Sequence, residues 1–210
     1  MIVANSLMRR RDDIDLAMFQ EHWLNPHGPM TAKLPRCRRY VQNHVLDVPG
    51  TNALARSLRI DGIPQLAFAN PEDRVAAHGS PELKACDKDS EFFIGAVSRV
   101  ITAVDGAAEF EGPAGSIKQM LLFVSPRTAA EKRLDHSIVA DLAGVCRSVQ
   151  HRIIQQGGAP GSKVPNLEVS VEGISEIWIE SMDAIRRNAA LLDAEGSGVA
   201  SFVVKVYSFI

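Results

Sequence analysis

The chain has 210 residues, of which 46% are hydrophobic and 23% are charged, and its formal net charge is −2. This composition is typical of a globular protein that can bury a core, in one large domain or two small ones. The small net charge gives no general electrostatic reason to bind nucleic acid or an anionic membrane surface. No apolar run approaches the roughly 18 residues of a membrane-spanning helix, so we expect no membrane association.

The cysteines predict neither a disulfide framework nor a metal site. Cys37, Cys86 and Cys146 are an odd number, lie far apart, and show no CxxC or Cys/His ligand spacing. The first residues lack the order of charged and apolar segments that marks a secretory signal. We therefore expect no metal and a cytoplasmic location.

The first half of the chain predicts the element order β-α-β-β-α-β. The pattern of apolar residues indicates strands at 1–8, 37–46, 60–68 and 97–104, and an amphipathic helix at 13–23, "DIDLAMFQEHW". A second helix should begin after Asn70, an N-cap residue followed by Pro71 at the first helical position. This order is typical of a split βαβ, or ferredoxin-like, unit.

The second half repeats the order of the first. "IDGIPQLAF" at 60–68 and "VEGISEIWI" at 171–179 align without gaps at a separation of 111 residues (171 − 60). In the same alignment Asn70 falls on Ser181, so both strands lead into an N-cap residue. Further strands are predicted at 117–124, 145–154 and 199–207, with a helix at 128–145 and a linker at 105–116.

The repeat predicts how the two halves pack. An open four-stranded sheet with helices on one face must bury its other face, and a second copy in the same chain is the simplest partner. We predict an α+β fold of two tandem ferredoxin-like repeats, residues 1–110 and 111–210, with antiparallel sheets packed face to face as an intrachain α/β barrel. This would be a pseudo-dimer within one chain, with any ligand cavity inside the barrel. It leaves room for a further homodimer.

The segment "FQEHWLNPHGPMTAKLPRCRRYVQNHV", residues 19–45, and the strand that follows it resemble the EthD family of the dimeric α/β-barrel superfamily. The matching positions are Trp23, His27-Gly28-Pro29, Leu34-Pro35, Arg39-Tyr40 and Asp61-Gly62. The second half has no Trp or His-Gly-Pro at the equivalent place and keeps only Glu172-Gly173, so it looks like a degenerate copy.

The resemblance implies a small-molecule enzyme of catabolism or secondary metabolism that needs no cofactor, or an accessory protein. Members of the superfamily include lactone isomerases, polyketide cyclases, dehydratases, decarboxylases and cofactorless monooxygenases. The sequence contains no phosphate loop, nucleotide fingerprint, serine-hydrolase elbow or zinc-protease motif.

The candidate site centres on the kinked helix. Trp23 and His27 are four residues apart and share one face if the helix continues past Pro26. An imidazole is a natural proton shuttle near neutral pH, so His27 is a candidate acid/base; the alternative is that it only satisfies a carbonyl at the kink. Trp23 is a candidate wall of the substrate site.

The second strand and the Asp-Gly pair supply the remaining candidates. Arg38, Tyr40 and His44 alternate onto one face of the strand. We predict that Tyr40 holds an oxyanion and that Arg38 and His44 bind substrate. Asp61 is a candidate catalytic carboxylate, although Asp-Gly at a strand entrance is also common turn chemistry.

Three functions agree with these residues. The first is acid/base catalysis by His27 on a small hydrophobic carbonyl compound: isomerisation, cyclisation, dehydration or decarboxylation through an enol. The second is a non-catalytic protein that binds the same hydrophobic ligand. The third is a monooxygenase assisted by haem or flavin, for which the sequence shows no dedicated ligands.

Overall fold

The computed structural model describes residues 1–104, 111–125, 135–158, 162–194 and 197–210. Eight strands in these ranges form a closed antiparallel barrel in the order β1-β3-β2-β8-β5-β7-β6-β4. This confirms an α+β fold with an antiparallel barrel. The strands are β1 (Ile2–Arg10), β2 (Arg39–Val45), β3 (Gly62–Phe68), β4 (Ile94–Ala103), β5 (Ile117–Val124), β6 (Val145–Gly157), β7 (Val171–Ile179) and β8 (Val199–Ser208).

Strand order is the same in the two halves of the barrel. The first half runs β4-β1-β3-β2 and the second runs β8-β5-β7-β6, and the halves are joined by antiparallel pairing of β2 with β8 and β4 with β6. Gln65 and Glu176, which the sequence repeat makes equivalent, meet inside the barrel, where Gln65 Nε2 donates to Glu176 Oε1 over 2.7 Å. Closing the barrel leaves no unpaired sheet edge.

The helices lie outside the barrel. They are α1 (Leu16–His22), α2 (Gly28–Thr31), α3 (Ala53–Leu58), α4 (Pro71–His78), α5 (Pro81–Ser90) and α6 (Met182–Leu192). The two predicted N-caps are confirmed: the Asn70 side chain accepts from the Asp73 amide at the start of α4, and Ser181 accepts from the Ala184 amide at the start of α6. The sequence did not predict α3 or α5.

The helix predicted over 128–145 is not present in the part of that range the structure describes. Residues 126–134, and residues 105–110 of the predicted linker, lie outside the described residues. His136–Asp141 is a single 3₁₀ turn. Leu142 is then extended, Gly144 has φ 69°, and β6 begins at Val145. The apolar residues of this stretch, Ile138, Val139 and Leu142, are therefore buried by a short turn and not by a helix.

The barrel interior is packed with side chains rather than hollow. Its apolar part includes Leu7, Ile63, Met120, Leu122, Ile174 and Phe202, each 0% exposed. An eight-stranded barrel has an interior just wide enough for its own side chains. The prediction of a ligand cavity inside the barrel is therefore wrong, because inward-pointing residues of both halves fill that space.

A buried polar cluster completes the interior. Lys118 Nζ lies 2.5 Å from Glu176 Oε2, and His151 Nε2 lies 2.5 Å from Glu176 Oε1. Burial opposes ionisation of Glu176, but Lys118 and His151 outweigh it and hold the pKa of this carboxyl below its usual range. His151 Nδ1 in turn lies 2.9 Å from the Thr102 hydroxyl. The charges are tolerated because each has a partner.

Among the described helices, none is long and apolar enough to cross a membrane.

Candidate functional site

The kinked helix continues through its prolines as a π-helical turn. Trp23–His27 is π-helical, with Pro26 inside it, and α2 follows directly. Trp23 and His27 are therefore both buried on one face, as their spacing predicts. The Gln42 side-chain amide donates to the Trp23 carbonyl over 2.7 Å. A residue of β2 thus satisfies a carbonyl at the kink, the role that the sequence offered to His27 as an alternative.

His27 is held by a carboxylate. Its Nδ1 lies 2.8 Å from Asp89 Oδ2, and the second oxygen of Asp89 lies 3.1 Å from His22 Nε2. The hydrogen bond from His27 is the main cause that lowers the pKa of Asp89, with burial opposing it and His22 adding to it. Because Nδ1–H donates to this carboxylate, Nε2 is the basic nitrogen of the neutral imidazole. This is the orientation that a general base requires.

His27 lines a cavity on the outer face of the first-half sheet, beneath the helices. Its volume is about 110 Å³, somewhat less than the ~150 Å³ of a cavity that holds one benzene molecule. Trp23, Tyr40, Leu66, Cys86 and Val97 contribute to a mainly apolar wall. A small hydrophobic molecule suits this lining.

Trp23 forms its part of the wall because two neighbours fix its indole. A side chain at Gly62 would overlap the six-membered ring of Trp23, so glycine there lets the ring lie flat on β3. On β2 the imidazole of His44 stacks on the indole, with centroids 4.3 Å apart and planes 14° apart. The glycine of the Asp-Gly pair thus has a packing role.

His44 stands behind Trp23 and is not part of the cavity wall. Its Nε2 lies 2.8 Å from Gln42 Oε1. Burial, aided by the charge of Lys205, lowers the pKa of His44 to about 4. The side chain is therefore a neutral spacer at pH 7, and its predicted role in substrate binding has no geometric support.

Tyr40 is fully buried and lines the same cavity as His27. Its hydroxyl accepts a hydrogen bond from Gln42 Nε2 over 2.7 Å, which leaves its own O–H to donate. Burial raises the pKa of Tyr40 above its usual range, although contacts with Gln42, Thr31 and Trp23 oppose the shift. Tyr40 therefore remains a neutral donor at physiological pH, as an oxyanion holder must.

Two of the predicted residues lie away from this cavity. Asp61 accepts a 2.8 Å hydrogen bond from the Arg10 backbone amide and also pairs with the Arg10 guanidinium, so it fastens the end of β1. Arg38 is exposed and precedes β2. Neither is among the residues that line the cavity.

The residue that completes the site, Asp89, was not identified from the sequence. It lies near the end of α5, whose start is marked by Ser80, which accepts from the Leu83 amide, and by Pro81 at the first helical position. That N-cap signal predicts the helix. It cannot predict that α5 reaches His27, 62 residues away in sequence. Within the described ranges no group of three or more His, Cys, Asp or Glu residues is arranged to hold a metal.

Comparison with known proteins agrees with the motif in the first half. A family model described as the EthD domain matches residues 11–96. An EthD-family protein of Bacillus halodurans aligns over 52% of this chain and 100% of its own, at 23% identity and a TM-score of 0.40. No curated protein matches the sequence significantly.

Two solved structures extend the likeness from the EthD domain to the whole barrel. An anthrone oxidase-like protein has a TM-score of 0.56 at 13% identity, over 99% of this chain and 92% of its own. A proposed monooxygenase of Fusobacterium nucleatum has a TM-score of 0.51 at 7% identity, over 98% and 91%. At these identities the matches show the fold alone, a closed antiparallel barrel with helices outside it.

Proposed function

We propose that the protein is a cofactor-independent enzyme that moves protons on a small hydrophobic carbonyl compound. The observation that carries this proposal is the His27–Asp89 pair, with Nδ1 held 2.8 Å from a carboxylate and the imidazole in the wall of an apolar cavity. A histidine that only stabilised the helix kink would donate a hydrogen bond to a carbonyl of the helix. Gln42 fills that role instead.

The chemistry follows from the two polar groups in the cavity. Nε2 of His27 takes a proton from the carbon next to the carbonyl. The C–H electron pair forms a C=C bond, and the C=O π pair moves onto the oxygen to form an enolate. Tyr40, kept protonated by burial, donates its O–H to that oxygen. Asp89 stabilises the imidazolium that forms. Return of the proton to another carbon completes an isomerisation. In a dehydration, the enolate collapses with departure of a β-hydroxyl, which takes the proton from the His27 imidazolium and leaves as water.

The test is exchange of carbon-bound hydrogen in D₂O, followed by ¹H NMR on small ketones such as cyclopentanone. Replacing His27 with Gln should slow exchange by roughly 10²- to 10⁴-fold, the usual contribution of one general base. Asp89→Asn should also slow it, because an amide no longer fixes the Nδ1–H tautomer or stabilises the imidazolium. His22→Gln is the matched control, since it removes the other histidine on Asp89 and keeps the His27 contact.

Two outcomes would contradict the proposal. Exchange that is equally fast with the His27→Gln protein would show that His27 is not the base, and exchange no faster than in buffer would leave ligand binding without chemistry as the function. Oxygen uptake with the same ketones, measured with an electrode, would instead point to a monooxygenase, because an enolate is also a species that O₂ can attack.

We also propose that the chain consists of two tandem ferredoxin-like repeats, residues 1–110 and 111–210, which form a pseudo-dimer. The matching strand order of the two halves and the contact between Gln65 and Glu176 support this. Only the first repeat carries the His-Gly-Pro motif, so we assign it the active site.

We further propose a cytoplasmic location. Free Cys86 in the cavity wall supports a reducing, cytoplasmic setting.

A further inference from the structure

The cavity carries a group of charged side chains that the proposed proton transfer does not use. Arg74 and His78 of α4, Asp87 of α5 and Arg99 of β4 all line it. Arg99 Nη2 lies 3.3 Å from Asp87 Oδ1, and this is the one ion pair among these four residues. The group therefore holds two guanidinium groups and a single carboxylate.

Arg74 has no counterion of its own among the described residues. Its Nε is buried and has no hydrogen-bond partner there. The nearest acidic residue in sequence, Asp73, pairs with Arg36 outside the cavity. Burial lowers the pKa of Arg74, and the charge of Arg99 lowers it further. A buried donor left without an acceptor is costly, so this position favours an acceptor supplied by a ligand.

His78 reports the same excess of positive charge. Although His78 is an exposed residue, its pKa is lowered by partial desolvation first and then by Arg74 and Arg99, while Asp87 opposes the shift. The local field thus favours negative charge in the cavity. The remaining wall is mainly apolar, so an anion there would be attached to a hydrophobic body.

Strand register separates this group from the His27 end of the cavity. Arg99 pairs with Ser6, whereas Met8, two residues further along β1, pairs with Gly62, on which the Trp23 ring lies. Two residues of a strand span about 7 Å, and β4 and β3 lie on opposite sides of β1, so the two backbone positions are also about 10 Å apart across the sheet and roughly 12 Å apart in all. The long side chain of Arg99 bridges part of this distance. An anion held by Arg99 and a carbon next to His27 could therefore belong to one small molecule.

We propose that the substrate carries a carboxylate, which Arg74 and Arg99 bind while its carbonyl-bearing apolar part lies against Trp23 and His27. Guanidinium groups bind carboxylates through two parallel hydrogen bonds, and this geometry also sets the register of the bound molecule. The inference rests on the proposed function for the identity of the reacting end. The claim that the substrate carries a carboxylate depends only on Arg74 and Arg99.

The test is a binding measurement that needs no turnover. Butyrate and butyramide have nearly the same size, differ in charge and are small enough for a cavity of about 110 Å³, and either is detected through the indole N–H signal of Trp23, one of two tryptophans in the chain. Butyrate should bind at least about tenfold more tightly than butyramide, and Arg74→Gln or Arg99→Gln should remove about that factor for butyrate only. Arg56→Gln, which breaks an exposed pair with Asp47, is the matched control.

Equal affinity for butyrate and butyramide, unchanged affinity in both arginine variants, or no response of Trp23 to either compound would overturn the carboxylate site. Failure of the proposed function is a separate result. Charge-selective binding with no His27-dependent exchange would leave the carboxylate site standing and refute the enzyme.

Discussion

Replacing His44 with Gln should change how stability depends on pH. The pKa of His44 falls from 6.5 to about 4 on folding, because the ring is buried against Trp23 and lies near the charge of Lys205. Between these two values the unfolded chain binds a proton that the folded chain does not. Stability from this residue is therefore complete above pH 6.5 and is lost as the pH falls towards 4.

The size of the loss in stability follows from the change in the pKa of His44. A difference of about 2.5 pKa units at roughly 1.4 kcal/mol per unit corresponds to about 3 kcal/mol lost between pH 6.5 and 4. Urea unfolding of both proteins at a series of pH values measures it. The free energy of unfolding of the wild type should fall by about this amount more than that of His44→Gln over the same range.

The comparison separates pH dependence from packing. Loss of the stack on Trp23 lowers the stability of His44→Gln at every pH, whereas the titration changes only the slope. Lys205→Gln should give an intermediate slope, since it removes the second cause of the shift. Identical slopes for wild type and His44→Gln, or a folded-state NMR titration of His44 near pH 6.5, would refute the reasoning and reopen a role for this residue in binding substrate.

Two further substitutions test the packing around the site and the barrel interior. Gly62→Ala should lower the free energy of unfolding by about 1–3 kcal/mol and shift the Trp23 fluorescence, because the new methyl group overlaps the indole; unchanged fluorescence and stability would contradict this contact. Glu176→Gln should cost about 3–5 kcal/mol in urea unfolding, because it leaves Lys118 buried without a counterion. The exposed Glu180→Gln is its control, and a similar small effect of both would show that Lys118 does not depend on Glu176.

Local chemistry and periodicity were sufficient for much of the fold. The N-caps at Asn70 and Ser181 depend on neighbours within one turn, so the sequence predicts them directly. The four-residue spacing of Trp23 and His27 likewise places both on one face, because a helix continues through Pro26. The EthD motif added the expectation that this face carries a site, and that expectation stays a prediction.

Which face of the sheet carries the cavity was decided by the tertiary structure. Strand β2 has polar residues on both sides: Gln42 and His44 point towards the helices, and Asn43 points into the barrel, where it donates to Gln65. Alternation separates two faces but does not say which is covered by helices and which by the other half of the chain. The sequence therefore placed the cavity on the wrong side of the sheet.

The partners of the site residues were also set by contacts between distant segments. His27 obtains Asp89 from a helix 62 residues later, and the two cavity arginines come from α4 and β4. Helix and strand periodicity act over a few residues, so they can select His27 and Tyr40 as candidates but cannot bring a carboxylate or a guanidinium to them. The sequence by itself determined the strands, the N-caps at Asn70 and Ser181, and the choice of His27 as a candidate. The packing of α4 and α5 over the sheet decided what that histidine can do.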